Sequence, residues 1–451
     1  MKRDFTTVLE EWASKPDRKP LVIRGMRQTG KTWCVREFAS RRFPGRFCEI
    51  DFEFAKGWRS VFEADLDPVR ICRELELLAG TDIRAGETLL FFDEVQLCPR
   101  ALESLRYFCE KMPALHVVAA GSLLDFALEE HPFPVGRVQF ADLCPLSLAE
   151  FLEAGGEDAL ARAVRGAPAE LPAAAHDRLL QRVREYCLVG GLPECVRVWT
   201  ETRRYRPVRD VQNALVAAFE QDFGKYPERM DAGTLEAVWR GANAAVSHQI
   251  SWAGLSRDHA GATNKKAFNL LARARLLHEC RAVSAAAFPF DLDATPRVKP
   301  FAGDIGLYQA RAGMPADEAV LAGDILSVYQ GALAEQFVAQ EFVAALGRDA
   351  LHWWKRDAPN STAEVDFVLG AEGAVQPVEV KAGAAGRLRS LHQLLKDHPS
   401  ARDGAVLSSA PFGSLPEQRL RFVPIYFAGS FARTACEPNQ AAQPNPRPRP
   451  Q

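Results

Sequence analysis

The chain has 451 residues, of which 47% are hydrophobic and 25% are charged, and its formal net charge is −2. This length predicts two to four domains with substantial cores, and the near-neutral charge excludes a global basic field for nucleic acid. Ten cysteines show no C-x-x-C spacing, and no uninterrupted apolar stretch is long enough to cross a membrane. These features predict a cytoplasmic protein with reduced thiols, without a zinc site, secretion signal or membrane span.

Residues 1–150 alternate short apolar runs with amphipathic helical patterns. This alternation is typical of an α/β domain with a doubly wound, parallel sheet. The predicted strands are Leu21–Arg24, Phe47–Asp51, Leu89–Phe92, Val117–Ala120 and Val138–Phe140.

The segment after the first predicted strand reads G-x-x-x-x-G-K-T, from Gly25 to Thr32. A strand before this motif and a helix after it form the context of a phosphate-binding loop (P-loop), whose backbone amides surround phosphate at a helix N-terminus. Lys31 is predicted to neutralise the β- and γ-phosphates of ATP, and the Thr32 hydroxyl to coordinate Mg²⁺. The residues predicted to contact the nucleotide here are Gly25, Arg27, Gln28, Thr29, Gly30, Lys31 and Thr32.

An acidic pair, Asp93-Glu94, follows the apolar run Leu89–Phe92. Carboxylates at the end of a buried strand are costly unless their charge is compensated, and Mg²⁺ can compensate it. Asp93 is therefore predicted to hold the magnesium ion and Glu94 to polarise the attacking water. The alternative is an ordinary turn with solvated acids.

Two further residues are candidates for nucleotide hydrolysis. Ser122 follows the predicted strand Val117–Ala120 and could sense the γ-phosphate, or it could cap a helix. Arg137 is a candidate arginine finger, because a guanidinium suits the spread charge of a transferring phosphoryl group. The alternative for Arg137 is a solvated surface arginine.

The middle of the chain is predicted to be helical. Residues 151–230 form a helical extension, with a loosely packed excursion where Ala, Gly, Pro and Glu dominate at 153–176. Residues 231–300 read as three helices, at 235–246, 251–258 and 264–275, and a strand at 277–283, which suggests a winged helix-turn-helix. Four basic residues of its third helix could contact a DNA backbone: Lys265, Lys266, Arg273 and Arg275. The alternative is a solvated helix face.

The C-terminal region, residues 301–432, contains a second constellation of charged residues. Asp366 is predicted to lie within a strand, and Glu379 and Lys381 to share one face of the next strand. This D…E-x-K pattern is that of restriction-endonuclease-like (PD-(D/E)xK) nucleases. Asp366 and Glu379, with Glu335 from the preceding helix, would bind a second divalent cation, and Lys381 would stabilise charge during phosphodiester cleavage. The alternative is a hairpin with one polar face.

Together these segments resemble a prokaryotic family of AAA-type ATPases with a C-terminal domain of uncharacterised function. The resemblance covers roughly residues 5–430. Its marks include the P-loop, Phe92–Gln96, Gly190-Gly191-Leu192-Pro193-Glu194, Asp304-Ile305-Gly306-Leu307 and Val378–Lys381. It implies an ATPase domain, a winged helix and a nuclease-like domain, in that order. Pro300 departs from the family pattern, because it interrupts an expected strand.

These observations predict a magnesium-dependent ATPase coupled to a nuclease-like domain that acts on nucleic acid. The first alternative is an ATP-switched regulator that binds DNA or protein and has an inactive nuclease-like domain. The second is an ATPase that remodels or scaffolds a protein complex. The expected partners are ATP, DNA through the winged helix and the C-terminal domain, and further copies of the chain. The tail, residues 433–451, is predicted to be disordered.

Overall fold

The computed structural model describes residues 1–122, 124, 136–225, 230–284, 289–290, 297–313, 331–358, 361–371, 373–383 and 388–436. Three sheets account for its strands. No helix among the described residues is both long and apolar enough to cross a membrane. Most of the predicted tail, residues 437–451, lies outside the described residues, whereas 433–436 belong to the last helix.

The N-terminal region is built on a five-stranded parallel sheet in the order β2-β3-β4-β1-β5. Every residue of β3 and β4 is buried, because helices cover both faces. Alternate residues enter two cores: Leu90 and Phe92 face one, and Leu89 and Phe91 the other. The strands are β1 (Leu21–Arg24), β2 (Phe47–Asp51), β3 (Leu89–Asp93), β4 (His116–Ala120) and β5 (Gln139–Asp142), and the helices are α1 (Phe5–Ser14), α2 (Lys31–Arg42), α3 (Pro68–Ala79) and α4 (Pro99–Lys111).

Five helices follow the sheet, and they contradict the predicted loose excursion at 153–176. Ala161 and Val164 are buried in the same core as the later helices, so this segment is packed. Ion pairs of Arg165 with Asp4 and Glu153, both 2.8 Å, hold it against the N-terminal region. The helices are α5 (Leu148–Ala154), α6 (Asp158–Arg165), α7 (Ala173–Val189), α8 (Pro193–Thr202) and α9 (Tyr205–Asp222).

The segment predicted as a winged helix has two helices, α10 (Ala232–Ala244) and α11 (Gly261–Arg273), joined through a short 3-10 turn at Trp252–Gly254. The helix predicted at 251–258 is therefore wrong. Strands β6 (Leu277–Val283) and β7 (Val298–Ala302) pair antiparallel, and β7 includes Pro300. The expectation that Pro300 breaks this strand is also wrong: β7 is an edge strand, where a missing N–H is tolerated.

The C-terminal region joins this hairpin. Two of its helices are α12 (Ile305–Arg311) and α13 (Ala332–Leu346), and α13 is mostly buried. Strands β8 (His352–Lys355) and β9 (Glu364–Val365) complete the sheet β7-β6-β8-β9. The third sheet has the order β10-β11-β12-β14-β13. Its elements are β10 (Phe367–Ala371), β11 (Ala374–Val380), β12 (Gly404–Ser408), β13 (Gly413–Leu415) and β14 (Leu420–Pro424), with α14 (Arg389–Asp397) and α15 (Ala428–Cys436).

Candidate functional site

The loop between β1 and α2 has a backbone suited to anion binding. Gln28 and Gly30 have positive φ angles of 67° and 90°, a geometry found in concavities lined by amide groups. Gly25 has no room for a side chain, because an added Cβ would lie 3.4 Å from the carbonyl carbon of Leu143 and closer still to its oxygen. The predicted residues from Gly25 to Thr32 therefore form one compact loop at the carboxyl end of β1.

Lys31 is buried in the first turn of α2. Its Nζ donates hydrogen bonds to the carbonyl oxygens of Gly25 and Met26, both at 3.0 Å. Burial lowers the pKa of Lys31 to about 8, although the nearby carboxylates of Glu94 and Asp93 favour the charged form. The ammonium group thus lies against the loop, and its contact with phosphate stays a prediction.

Thr32 and Asp93 meet across the sheet edge. The Thr32 hydroxyl donates to Asp93 Oδ2 at 2.6 Å, and the backbone N–H of Glu94 donates to Asp93 Oδ1 at 3.0 Å. Burial raises the pKa of Asp93 to about 6. A hydroxyl and a carboxylate side by side are the oxygen ligands that Mg²⁺ takes in nucleotide sites.

Glu94 lies beside the predicted sensor, Ser122. The backbone of Glu94 is left-handed, with φ of 46°. The Oε2 atom of Glu94 accepts hydrogen bonds from Gln96 Nε2 at 2.5 Å and from Ser122 Oγ at 3.3 Å. Gln96 was not predicted as a site residue, although it stands two residues after Glu94. The structure therefore brings the hydrolysis candidates Asp93, Glu94 and Ser122 together.

Two arginines fix the loop from outside. The Arg27 guanidinium pairs with Asp222 at the end of α9 and so ties the loop to the helical region, and its contact with the nucleotide stays a prediction. Arg3 is buried and donates to the Thr29 carbonyl at 2.8 Å and to Glu150 Oε1 at 2.9 Å. Arg3 was not predicted as a site residue, because nothing in the N-terminal sequence indicates that this arginine is buried.

A second pair of arginines lies around Asp142 at the end of β5. Arg24, just before the P-loop, lies 3.0 Å from Asp142 Oδ2, and Arg275 lies 2.7 Å from Asp142 Oδ1. Arg275 was predicted to end the third helix and contact a DNA backbone. This prediction is wrong, because Arg275 is buried in the turn between α11 and β6, with φ of 62°. Its positive charge contributes to lowering the pKa of Lys31, after burial as the main cause. The middle region thus places the cationic side chain of Arg275 close to the P-loop.

The Gly190-Gly191 turn connects the P-loop to α12. Gly191 N–H donates to the buried Asp304 Oδ2 at 2.7 Å, and its carbonyl accepts from Leu146 N–H at 2.7 Å. Asp304 Oδ1 also caps α12 through the amides of Gly306 and Leu307, at 2.9 and 3.1 Å. The turn leads into Pro193, which lies against Gly30.

Arg137 does not reach the P-loop of its own chain. It precedes β5, whose residue Gln139 pairs with Leu21 at the beginning of β1, whereas the P-loop follows the end of β1. The two lie at opposite ends of a four-residue strand, about 10–13 Å apart. Arg137 is half-exposed and pairs with Glu110 at 3.0 Å. An arginine finger for the chain's own nucleotide is therefore wrong, and the hypothesis stays a prediction only for the nucleotide of a second copy.

The C-terminal candidates also come together, but not as predicted. Asp366 lies between β9 and β10, where the chain passes from one sheet to another, and not inside a strand. Its Oδ2 accepts from Val380 N–H at 2.8 Å, and Glu379 Oε1 accepts from Lys381 Nζ at 2.6 Å. Burial raises the pKa of Glu379 to about 8, and the negative charge of Asp366 adds to this effect. Burial likewise raises the pKa of Glu335, again reinforced by Asp366.

Lys299, which was not predicted, inserts a further cation into this cluster. It lies on β7, is only 1% exposed, and its Nζ is 3.4 Å from Glu364 Oε1 and 4.6 Å from the centre of the Trp353 ring. Burial disfavours its charge, but Glu335 and Asp366 outweigh burial and raise its pKa. Across the described ranges, no three His, Cys, Asp or Glu side chains are arranged to hold a metal ion. The predicted ligand set of Glu335, Asp366 and Glu379 is therefore not assembled.

The two lysines of α11 lie on an exposed helix face. Lys265 Nζ is 5.7 Å from the centre of the Trp252 ring, and Lys266 is likewise exposed. The opposite face, with Phe268 and Leu271, is buried in the core. This arrangement agrees with either a DNA contact or a solvated face.

Three segments of the chain match known families. Residues 17–152 match the family described as an AAA domain. Residues 180–318 match a domain of unknown function (DUF8612), and residues 330–419 match another (DUF4143). A search of curated proteins found no match. The N-terminal region therefore contains an AAA domain of the P-loop ATPase type, which suggests ATP binding and hydrolysis in general.

Proposed function

We propose that the protein is a magnesium-dependent ATPase whose nucleotide site consists of the P-loop, Asp93 and Glu94. One observation carries this proposal: Lys31, Thr32, Asp93 and Glu94 meet at the carboxyl edge of the parallel sheet, although about sixty residues separate the two motifs. Ligands of open parallel sheets bind at this edge.

Each residue has a role that follows from its position. The P-loop amides and the Lys31 ammonium would hold the phosphates, and Thr32 and Asp93 would hold magnesium, which neutralises charge that develops on the phosphoryl oxygens. Glu94 would orient the attacking water and accept its proton. Its hydrogen bonds to Gln96 and Ser122 fix the carboxylate, so we assign both as positioning residues.

Mutation of the two motifs tests the proposal. Lys31→Ala should abolish ATP binding, whereas Glu94→Gln should bind ATP but hydrolyse it orders of magnitude more slowly. Lys396→Ala, an exposed lysine of α14, is the matched control and should behave as wild type. Normal turnover in Glu94→Gln would remove Glu94 as the water-activating residue.

For the remainder of the chain we propose the predicted division: a helical extension (151–230), a winged-helix-like region (231–300) and a restriction-endonuclease-like domain (301–432). The β6–β7 hairpin that follows α11 supports the winged-helix-like region. A mixed sheet whose strand β11 carries Glu379 and ends just before Lys381 supports the nuclease-like domain. Replacing both Lys265 and Lys266 by Ala should weaken DNA binding and reduce its salt dependence by one to two units of slope. Unchanged binding would make α11 a structural or protein-docking helix.

A second candidate function is an ATP-switched regulator whose C-terminal cluster is structural. The buried ammonium of Lys299 favours it, because it compensates the carboxylates without a metal ion. The buried Glu335 Oε2 and Glu379 Oε2 oppose it, since neither has a hydrogen-bond partner within the described residues. Titrating the full chain with Mg²⁺ or Mn²⁺ and following melting decides between them. A rise in melting temperature that Asp366→Asn removes would support a cation site, and DNA cleavage assays would then test for nuclease activity. No rise in melting temperature would support the regulator.

A further inference from the structure

A cavity of about 160 Å³ lies where the N-terminal region meets the C-terminal region. Its walls come from α1, the segment between β5 and α5, and the helices α13 and α15. The P-loop residues 25–32 are not among these walls, so the proposed hydrolysis of ATP does not use the cavity. It opens to solvent where Val8, Ala344 and Arg433 are exposed.

Most of the charge around this cavity is already compensated. Six charged residues of the described ranges line it, and four of them are in ion pairs. The other two, Glu341 on α13 and Arg433 on α15, form no ion pair within the described residues. The ion pairs are those of Arg3 with Glu150, of Asp4 with Arg165, and of Asp142 with Arg24 and Arg275.

Glu341 is the buried acid of the cavity, with only 5% of its surface exposed. Its Oε1 accepts a hydrogen bond from the backbone N–H of Leu148 at 2.8 Å, and no described residue donates to its Oε2. The Oε2 atom lies against Gly429, where an added Cβ would come within 2.9 Å of it. Burial raises the pKa of Glu341 to about 7, because the carboxylate loses its hydration. A ligand cation that donates to Oε2 would replace that hydration.

Arg433 supplies the opposite charge at the mouth of the cavity. It lies in the last turn of α15 and is exposed. Its positive charge acts on Glu341 and opposes the effect of burial on the pKa of that carboxyl, yet the two groups do not pair. A guanidinium group binds a carboxylate through two parallel hydrogen bonds. The cavity therefore presents a receptor for a cation and a receptor for an anion, with space between them.

We propose that this cavity binds a small α-amino acid, whose ammonium group contacts Glu341 and whose carboxylate contacts Arg433. An α-amino acid carries both charged groups on one carbon atom, so a single compact molecule satisfies both receptors. The volume restricts its side chain. A cavity of about 150 Å³ admits benzene, and glycine and alanine have no more heavy atoms than benzene. Leucine and phenylalanine are larger and should be excluded.

Three small molecules that differ by one charged group test the proposal on the full-length chain. Alanine carries both groups, ethylamine lacks the carboxylate, and propionate lacks the ammonium group. Calorimetric titration near pH 8, above the pKa of Glu341, should show that alanine binds about 10- to 100-fold more tightly than either analogue. Phenylalanine should not bind.

Substitutions in the walls assign the two charges. Glu341→Gln should weaken alanine binding by about 30-fold or more and leave propionate binding unchanged. Arg433→Gln should weaken alanine binding by about 10-fold or more and leave ethylamine binding unchanged. Gly429→Ala should abolish alanine binding, because its Cβ fills the space beside Glu341 Oε2. Glu417→Gln and Arg389→Gln remove exposed charges outside the cavity and should bind alanine like wild type.

Each alternative has its own outcome. If wild type binds none of the three molecules, or binds alanine no more tightly than its analogues, the cavity holds water only and the proposal fails. Unchanged alanine affinity in Glu341→Gln, or equal losses of alanine and propionate, would overturn the assignment of the ammonium group to Glu341. Unfolding does not explain a loss of affinity in this variant if its melting temperature near pH 8 is no lower than that of wild type, which is the expected result.

Discussion

Replacing Gly190 by Ala tests whether the turn that links the P-loop to α12 is as tightly built as the structure shows. Gly190 has φ of 79° and ψ of −176°, a region of backbone space that only glycine occupies readily. An added Cβ would lie 2.8 Å from Gly306 N and 2.9 Å from Gly306 Cα, and closer still to Asp304 Oδ1. Two of these three neighbours are backbone atoms, which cannot rotate away.

The expected cost has two parts. The backbone conformation costs about 1–3 kcal/mol for a residue with a side chain. Overpacking against Asp304 and Gly306 adds about 1–3 kcal/mol, because Asp304 cannot shift without losing its hydrogen bonds to Gly191 and Leu307. The free energy of unfolding should therefore fall by about 2–6 kcal/mol.

Calorimetric melting of the full-length chain provides the measurement, with Gly80→Ala as the matched control. Gly80 ends α3 with φ of 63°, but an added Cβ there meets no atom within 4 Å. The control should lose only about 1–2 kcal/mol, the cost of the left-handed backbone. Gly190→Ala should melt at a clearly lower temperature than Gly80→Ala, and equal melting temperatures would refute the packing described for this turn.

Three further predictions follow from buried and exposed charges. Arg137→Ala should leave turnover unchanged at concentrations where the chain is monomeric, and a loss of turnover in the monomer would contradict the position of Arg137. The substitution should cost less than about 1 kcal/mol of stability, since the ion pair of Arg137 with Glu110 is exposed. Burial raises the pKa of Glu341 to about 7, so ionisation of the folded protein costs stability as pH rises from about 4.5 to 7. Glu341→Gln stays neutral, so it should match wild type near pH 4 and exceed its stability by about 3 kcal/mol near pH 8 in denaturation experiments; a constant difference at both pH values would refute this. Lys299→Met should cost about 3–5 kcal/mol, because it leaves buried carboxylates without their cation, whereas Lys299→Arg should lose less in the same assay; equal losses would show that the volume of Lys299 matters and not its charge.

The local patterns of the AAA domain were readable from the sequence because short-range chemistry dictates them. A buried parallel strand needs a continuous apolar run, and a P-loop needs glycine and lysine at fixed spacing, so β1, β3 and the segment from Gly25 to Thr32 were predicted closely. The neighbouring positions of Asp93 and Thr32 followed from the rule that carboxyl ends of parallel strands share one edge. The helix predicted at 251–258 failed, since helical periodicity over eight residues does not reveal that only a 3-10 turn forms.

Contacts between distant segments were decided only by the tertiary structure. Arg3 and Lys299 carry no local signal, and the helical pattern around Arg275 wrongly suggested an exposed helix face. Yet each of the three is buried where the chain brings together residues more than sixty positions apart. Arg137 shows the converse: its type suits a phosphate, but the register of β5 on β1 places it far from the P-loop of its own chain. The sequence by itself determined which residues can form a P-loop, an acidic strand end and a charged C-terminal cluster. Which charges actually face one another depends on strand order, register and chain crossings, and these are set by how the whole chain packs its cores.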